Sequence, residues 1–206
     1  MMEPRKMWRV MGMAVAVLFF GCAGTATKTE SAPEKIEPPV ITLDHVEIAH
    51  YWGWWYFAKD VAPTKGAAGD YGAPLDMAFV FNLENPNPYP VRLESLGFTV
   101  AFEDFDVNVP SVIETQWIPA GKTNQLRVHS IIDGRQTLLS LMVTSGFKLK
   151  EKGLSAFDQL EKWWTGAPEF TFPVHVNGGA AVFSAGILNE VVPFNFVYPE
   201  ATPPSN

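Results

Sequence analysis

Chemistry needs side chains that exchange protons, attack, or hold metals, and this chain of 206 residues offers them in few usable groupings. Its four histidines are His45, His50, His129 and His175. His45 and His50, with Glu47 between them, suggest a metal motif. A zinc-binding pair on a helix stands four residues apart on one face, however, whereas these stand five apart in a stretch with strand periodicity and point to opposite sides. Val182-Phe183-Ser184-Ala185-Gly186 carries half of a nucleophile elbow. Val182 stands where the first glycine belongs, and the stretch reads as hairpin strand rather than as a strand-to-helix turn. Glu103, Asp104 and Asp106 form an acidic turn; paired carboxylates can do acid/base work, but in a hairpin loop they are ordinarily solvated. No glycine-rich phosphate loop is present, and a lone cysteine, Cys22, leaves neither a CxxC pair nor an intrachain disulfide. These residues predict no catalytic site, no metal and no cofactor: the reading is of a non-enzymatic protein.

Binding is the better prospect. Tyr51-Trp52-Gly53-Trp54-Trp55-Tyr56-Phe57 places six aromatics in seven residues. Alternate members of such a run can fill a core. The other reading is that Trp52, Trp54, Trp55 and Tyr56 form an exposed apolar patch for a protein, a glycan or a lipid interface, extended by Trp163 and Trp164. Asn85 and Asn87 also invite a ligand, but an asparagine before proline in a turn ordinarily hydrogen-bonds its own backbone, so Asn85-Pro86-Asn87-Pro88 is read as a structural turn. With 15 basic and 22 acidic residues the formal net charge is −7, which argues against nucleic acid and anionic head groups, both of which need a basic face.

The start of the chain stands apart. Arg5, Lys6 and Arg9 precede an apolar run from Met11 to Phe20 and then Gly21-Cys22, the pattern of a signal for export. The run is too short to span a bilayer, which takes about 20 apolar residues. Leu18-Phe19-Phe20-Gly21-Cys22 resembles a bacterial lipobox. That resemblance implies removal of residues 1–21 and acylation of Cys22, with palmitate-like chains tying the protein to a membrane; Ala23 in the next position implies the outer membrane and a periplasmic outlook. More than one chain is needed for firm attachment, at about 0.8 kcal/mol per buried CH₂. Residues 22–39, rich in Thr, Glu, Lys, Ser, Ala and Pro, read as a flexible tether.

From residue 40 to 198 the period is mostly two. Leu75, Met77, Phe79, Phe81 and Leu83 alternate with other residues as in a half-buried strand. Three prolines within 85–90 then forbid helix and ladder alike and force a corner. Val91 and Leu93 share one phase, and Leu96, Phe98, Val100 and Phe102 the other, which predicts a bulge at Glu94-Ser95; a similar change predicts one near Asp44-His45. The stretch 61–74 reads as a loop. Short strands are expected at 107–109 and 112–117, then a strand through Leu126, Val128 and Ile131. The period changes after Asp133, an N-cap with Gln136 at N3. A helix over about 134–145, ended by Gly146, presents Leu138, Leu139, Leu141, Met142 and Phe147, and a second starts at Ser155 and ends at Gly166. Strands resume with Phe170 to Val176, a hairpin turn at Asn177-Gly178-Gly179, a return through Ala181 to Ile187 and a last strand from Val192 to Tyr198. Residues 199–206 are a proline-rich tail.

FVFNLENPNPYPVRLESLGFTVAFEDFDVNVPSVIETQWIP, from Phe79 to Pro119, with the Ile118-Pro119-Ala120-Gly121-Lys122-Thr123 turn that follows, resembles the late embryogenesis abundant type 2 family, the water stress and hypersensitive response (WHy) domain. The resemblance implies an immunoglobulin/fibronectin-III-like antiparallel β-sandwich, here with one or two short helices inserted before the last strands. It also implies an association with desiccation stress, and it brings no catalytic residues. The functional expectation is therefore a membrane-anchored periplasmic lipoprotein that binds or protects envelope components. The alternative is a carrier of a lipid or other apolar ligand held between the sheets or under the inserted helices.

Overall fold

The computed structural model describes residues 34–54 and 73–200. Among the described residues nine strands and three α-helices follow one another: β1 (Val40–Tyr51), β2 (Pro74–Glu84), β3 (Val91–Phe102), β4 (Phe105–Asn108), β5 (Ser111–Val112), β6 (Gln116–Ile118), β7 (Thr123–Asp133), α1 (Gly134–Val143), α2 (Gly146–Glu151), α3 (Ala156–Gly166), β8 (Val174–Ala185) and β9 (Leu188–Tyr198). One antiparallel sheet has the order β1-β2-β7; the other has the order β4-β3-β8-β9, with β5 and β6 also on β3. This is the expected two-sheet sandwich, with helices inserted before the last two strands.

The alternation that marks β2 as a strand also makes it central: Leu75, Met77, Phe79, Phe81 and Leu83 are all buried between the sheets. Phe98 meets Phe79 and Phe81 edge-on, with ring centres 5.1 and 5.4 Å apart, and Phe81 meets Phe194 at 5.6 Å. These tilted pairings set the positive ring edge against the negative face of its neighbour. The phase changes on either side of the corner are bulges, one between Leu43 and His45 and one between Leu93 and Ser95.

Two expectations are corrected, one in β8 and one in β7. Asn177-Gly178-Gly179 is no hairpin turn. β8 runs straight through it, and the turn lies at Gly186, between Ala185 and Leu188. The glycines serve a bulge instead. Gly178 has φ +57°, its N–H donates to Asn195 Oδ1 at 2.7 Å, and the register on β9 slips between Val176 and Gly179. Positive φ and a skipped residue are what a glycine bulge requires. In β7, Val128, Ser130 and Ile132 face inward, and Ile131 faces solvent.

The helical insert differs too. Asp133 and Ser155 cap α1 and α3 as read, with Asp133 accepting from the N–H groups of Arg135 and Gln136. Gly146, read as a terminator, also opens a further helix, α2. Of the apolar set on the first helix only Leu141 is buried; Leu139, Met142 and Phe147 are exposed.

Candidate functional site

Three places bear on function: the asparagine-proline corner, the helical end and a groove where the two sheets meet at their edges. At the corner Pro86 and Pro88 face out while Asn85 and Asn87 are buried, at 0% and 2% exposure. Asn85 Nδ2 donates to the carbonyls of Tyr89, Ile118 and Pro119 at 2.9, 3.1 and 3.2 Å. Its Oδ1 accepts from Asn87 N and Nδ2, both at 3.0 Å. Asn87 in turn pairs with the main chain of Glu37, accepting from its N–H and donating to its carbonyl, both at 2.8 Å. The structural role is therefore wider than the expected local turn: two side chains satisfy main-chain groups from three separate parts of the chain.

At the helical end, Trp163 and Trp164 are completely buried and do not extend a surface patch. They carry the inward face of α3, where spacing alone gives no inside or outside. Trp163 packs between Phe102 and Phe105 at 5.5 and 5.6 Å. Its indole N–H donates to Glu103, which also accepts from Gln159 at 2.7 Å and from Lys162. Asp104 beside it holds Lys152 at 2.9 Å and Lys148 at 3.1 Å. Of the acidic turn, Glu103 and Asp104 thus do more than meet solvent: they fasten the β3-β4 hairpin to α2 and α3. The lysines beside Asp104, Lys152 foremost, hold its carboxyl below the usual carboxylate range.

The aromatic run is described as far as Trp54; Trp55 and Tyr56 lie outside the described residues, as does Cys22. Tyr51 donates its hydroxyl to the Trp164 carbonyl at 2.6 Å, joining the end of β1 to α3. Trp52 is 41% exposed, and its indole N–H donates to His50 Nε2. Trp54 is half-buried, edge-on to Phe157 at 5.1 Å.

The polar candidates for chemistry are held in pairs. Ser184 donates to Glu94, whose carboxyl is kept below its ordinary value by that bond first and by Arg92 second. A carboxylate so stabilised is a poor base for activating a hydroxyl. His129 Nδ1 lies 2.9 Å from Asp76, and His45 Nδ1 lies 2.7 Å from Asp44. Among the described residues no cluster of three or more His, Cys, Asp or Glu side chains is arranged to hold a metal.

The groove, of about 700 Å³, was not legible in the sequence. It lies where β1, an edge of one sheet, meets β9, an edge of the other. Leu43, Phe196 and Tyr198 contribute apolar surface, and Asp44, Asn177 and Asn195 are among its polar lining. The hydrogen bonds from His45 and Asn82 hold the Asp44 carboxyl below its ordinary value, so the groove carries a fixed negative charge. The lining is mixed, with Leu43, Phe196, Val197 and Tyr198 beside Asp44, Asn177, Asn195 and Glu200, and the groove is open to solvent.

Together these describe a β-sandwich with a helical insert and an open groove where the edges of its two sheets meet. No known family and no curated protein matches the sequence. Among solved structures, a protein from Archaeoglobus fulgidus is similar at 9% identity, over 79% of this chain and 94% of that one, with a TM-score of 0.39. Northeast Structural Genomics Consortium target SoR45 is similar at 8% identity, over 84% of this chain and 95% of that one, with a TM-score of 0.38. Neither likeness bears on what this chain does.

Proposed function

We propose that this protein is a non-enzymatic, envelope-anchored lipoprotein whose WHy-like sandwich binds and protects partners under desiccation stress, through the groove between β1 and β9. The anchor is the acylated Cys22, and the domain faces the periplasm. The observation that carries the binding role is the groove itself, with Leu43, Phe196 and Tyr198 beside the anionic Asp44. The pairing of Ser184 with the Glu94 carboxylate, a poor base because Ser184 and Arg92 hold its pKa down, favours binding over hydrolysis. In a Gram-negative host, mass spectrometry of the membrane fraction is expected to find a mature chain starting at acylated Cys22. Retention of an unprocessed, unacylated chain would overturn the anchor. Drying a test enzyme with the protein is expected to preserve its activity, and Phe196→Asp is expected to abolish that protection.

The second reading, a carrier of an apolar ligand, is favoured by the same apolar surface. The space between the sheets is filled by Phe79, Phe81, Phe98 and Phe194, and α3 packs directly on Phe102 and Phe105 through Trp163. The ligand would therefore lie in the groove. Native mass spectrometry would show it as added mass that Phe196→Asp removes.

A further inference from the structure

The helical insert carries an apolar face that no part of the described chain covers. α1 buries Gly134, Thr137 and Leu141, the three-to-four-residue spacing of one helical side. Leu139, Met142 and Val143 recur on its other side, and all three are exposed. Phe147, in the first turn of α2, is 93% exposed. A helix apolar on both sides normally lies inside a protein or against lipid, and a grouping of exposed large apolar side chains marks a contact surface.

Charge selects the occupant. The stretch 134–154 holds Arg135, Lys148, Lys150 and Lys152 against Glu151 alone, in a chain whose net charge is −7. Lys148 and Lys152 share the Asp104 carboxylate, which leaves Arg135 and Lys150 as exposed cations on the same two helices. Exposed leucine, methionine, valine and phenylalanine beside Arg135 and Lys150 fit a bilayer interface, where apolar side chains enter and cations meet anionic head groups. The acidic total, which argues against anionic head groups, averages away this local excess. Position adds independence. α1 leaves β7 at the end where Asp133 pairs with Pro74, whereas Glu37 is held by Asn87 at the opposite end of β2.

We propose that the α1-α2 face is a lipid-contact surface that lays Leu139, Met142, Val143 and Phe147 into an anionic bilayer interface. The contact is separate from the groove and does not rest on the anchor at Cys22.

The test uses the full chain with Cys22→Ser and a single new thiol, at Phe147→Cys or at Ile187→Cys, carrying an environment-sensitive dye. Ile187 is equally exposed but lies in the β8-β9 turn at the other end of the sandwich. Vesicles of phosphatidylcholine mixed with phosphatidylglycerol are expected to shift the emission at 147 to the blue and raise its intensity. Pure phosphatidylcholine is expected to do so less, and the label at 187 is expected not to respond. Leu139→Ser with Met142→Ser is expected to remove the response at 147, with unchanged near-ultraviolet circular dichroism as the check on folding. No shift at 147, an equal shift at both labels, or a shift that grows with protein concentration without vesicles would overturn the proposal; the last would mean that a second copy covers the face. Failure to find acyl groups on Cys22 would overturn the anchor and leave this result standing.

Discussion

Asn85 shows how much one side chain can decide. Its amide nitrogen has three carbonyl partners and its oxygen two N–H partners, all at a fully buried position. Buried polar groups left without partners cost about 1–3 kcal/mol each. Asn85→Ala is therefore expected to lower unfolding stability by about 2–4 kcal/mol in urea titration. The nearly isosteric Asn85→Asp is expected to cost more, because it turns an acceptor toward three carbonyls and buries a charge. A loss below about 0.5 kcal/mol in either variant, the size of an ordinary surface change, would refute this account of the corner. Trp163 is a second such residue. Trp163→Ala is expected to cost about 3–5 kcal/mol, since it empties a site between Phe102 and Phe105 that the sandwich cannot close over. Trp163→Phe should cost less while removing one of the three donors to Glu103, and a loss below about 0.5 kcal/mol for that variant would argue against the indole N–H having any part.

At the scale of elements, what was readable depended on which local signal carried the physics. A change of phase in the apolar residues correctly placed the bulges at Asp44-His45 and Glu94-Ser95. The same change stands in β8, where Val174 and Val176 share one phase and Ala181, Phe183 and Ala185 the other. There Asn-Gly-Gly, a strong turn sequence, masks it, because positive φ serves a bulge as well as a turn. The reason for glycine emerges only from the partner strand: a Cβ on Gly179 would sit 2.3 Å from a ring carbon of Phe194. Gly179→Ala is expected to destabilise the protein by about 1–3 kcal/mol, the cost of overpacking. In a Phe194→Ala background the extra cost should nearly vanish, so additive losses in that double-mutant cycle would contradict the contact. Helix caps at Asp133 and Ser155 were legible because capping is local. The burial of Trp163 and Trp164, the exposure of Leu139 and Met142, and the groove were not, since each depends on what the chain folds against.

For the molecule as a whole, charge sets the response to acid. Asp44, Glu94 and Asp104 have carboxyls held below their ordinary values by His45, Ser184 and Lys152 in the first place. Groups so depressed contribute stability above their unfolded values, near pH 4, and lose it as the pH falls through the folded ones. The midpoint of thermal unfolding should therefore hold from pH 7 to about 5 and fall below about pH 4. High salt should flatten the fall, because these groups lie near the surface and are screened; a midpoint that rises on acidification would contradict the assignment. The pairing of Asn87 with Glu37 has a mechanical consequence. A side-chain amide stands in for one rung of a ladder, gripping the chain three residues before β1 begins. A pull on the leading residues therefore loads this two-bond clamp before it reaches the first strand, and the corner works as a strain relief that keeps the sheet edge from being peeled open.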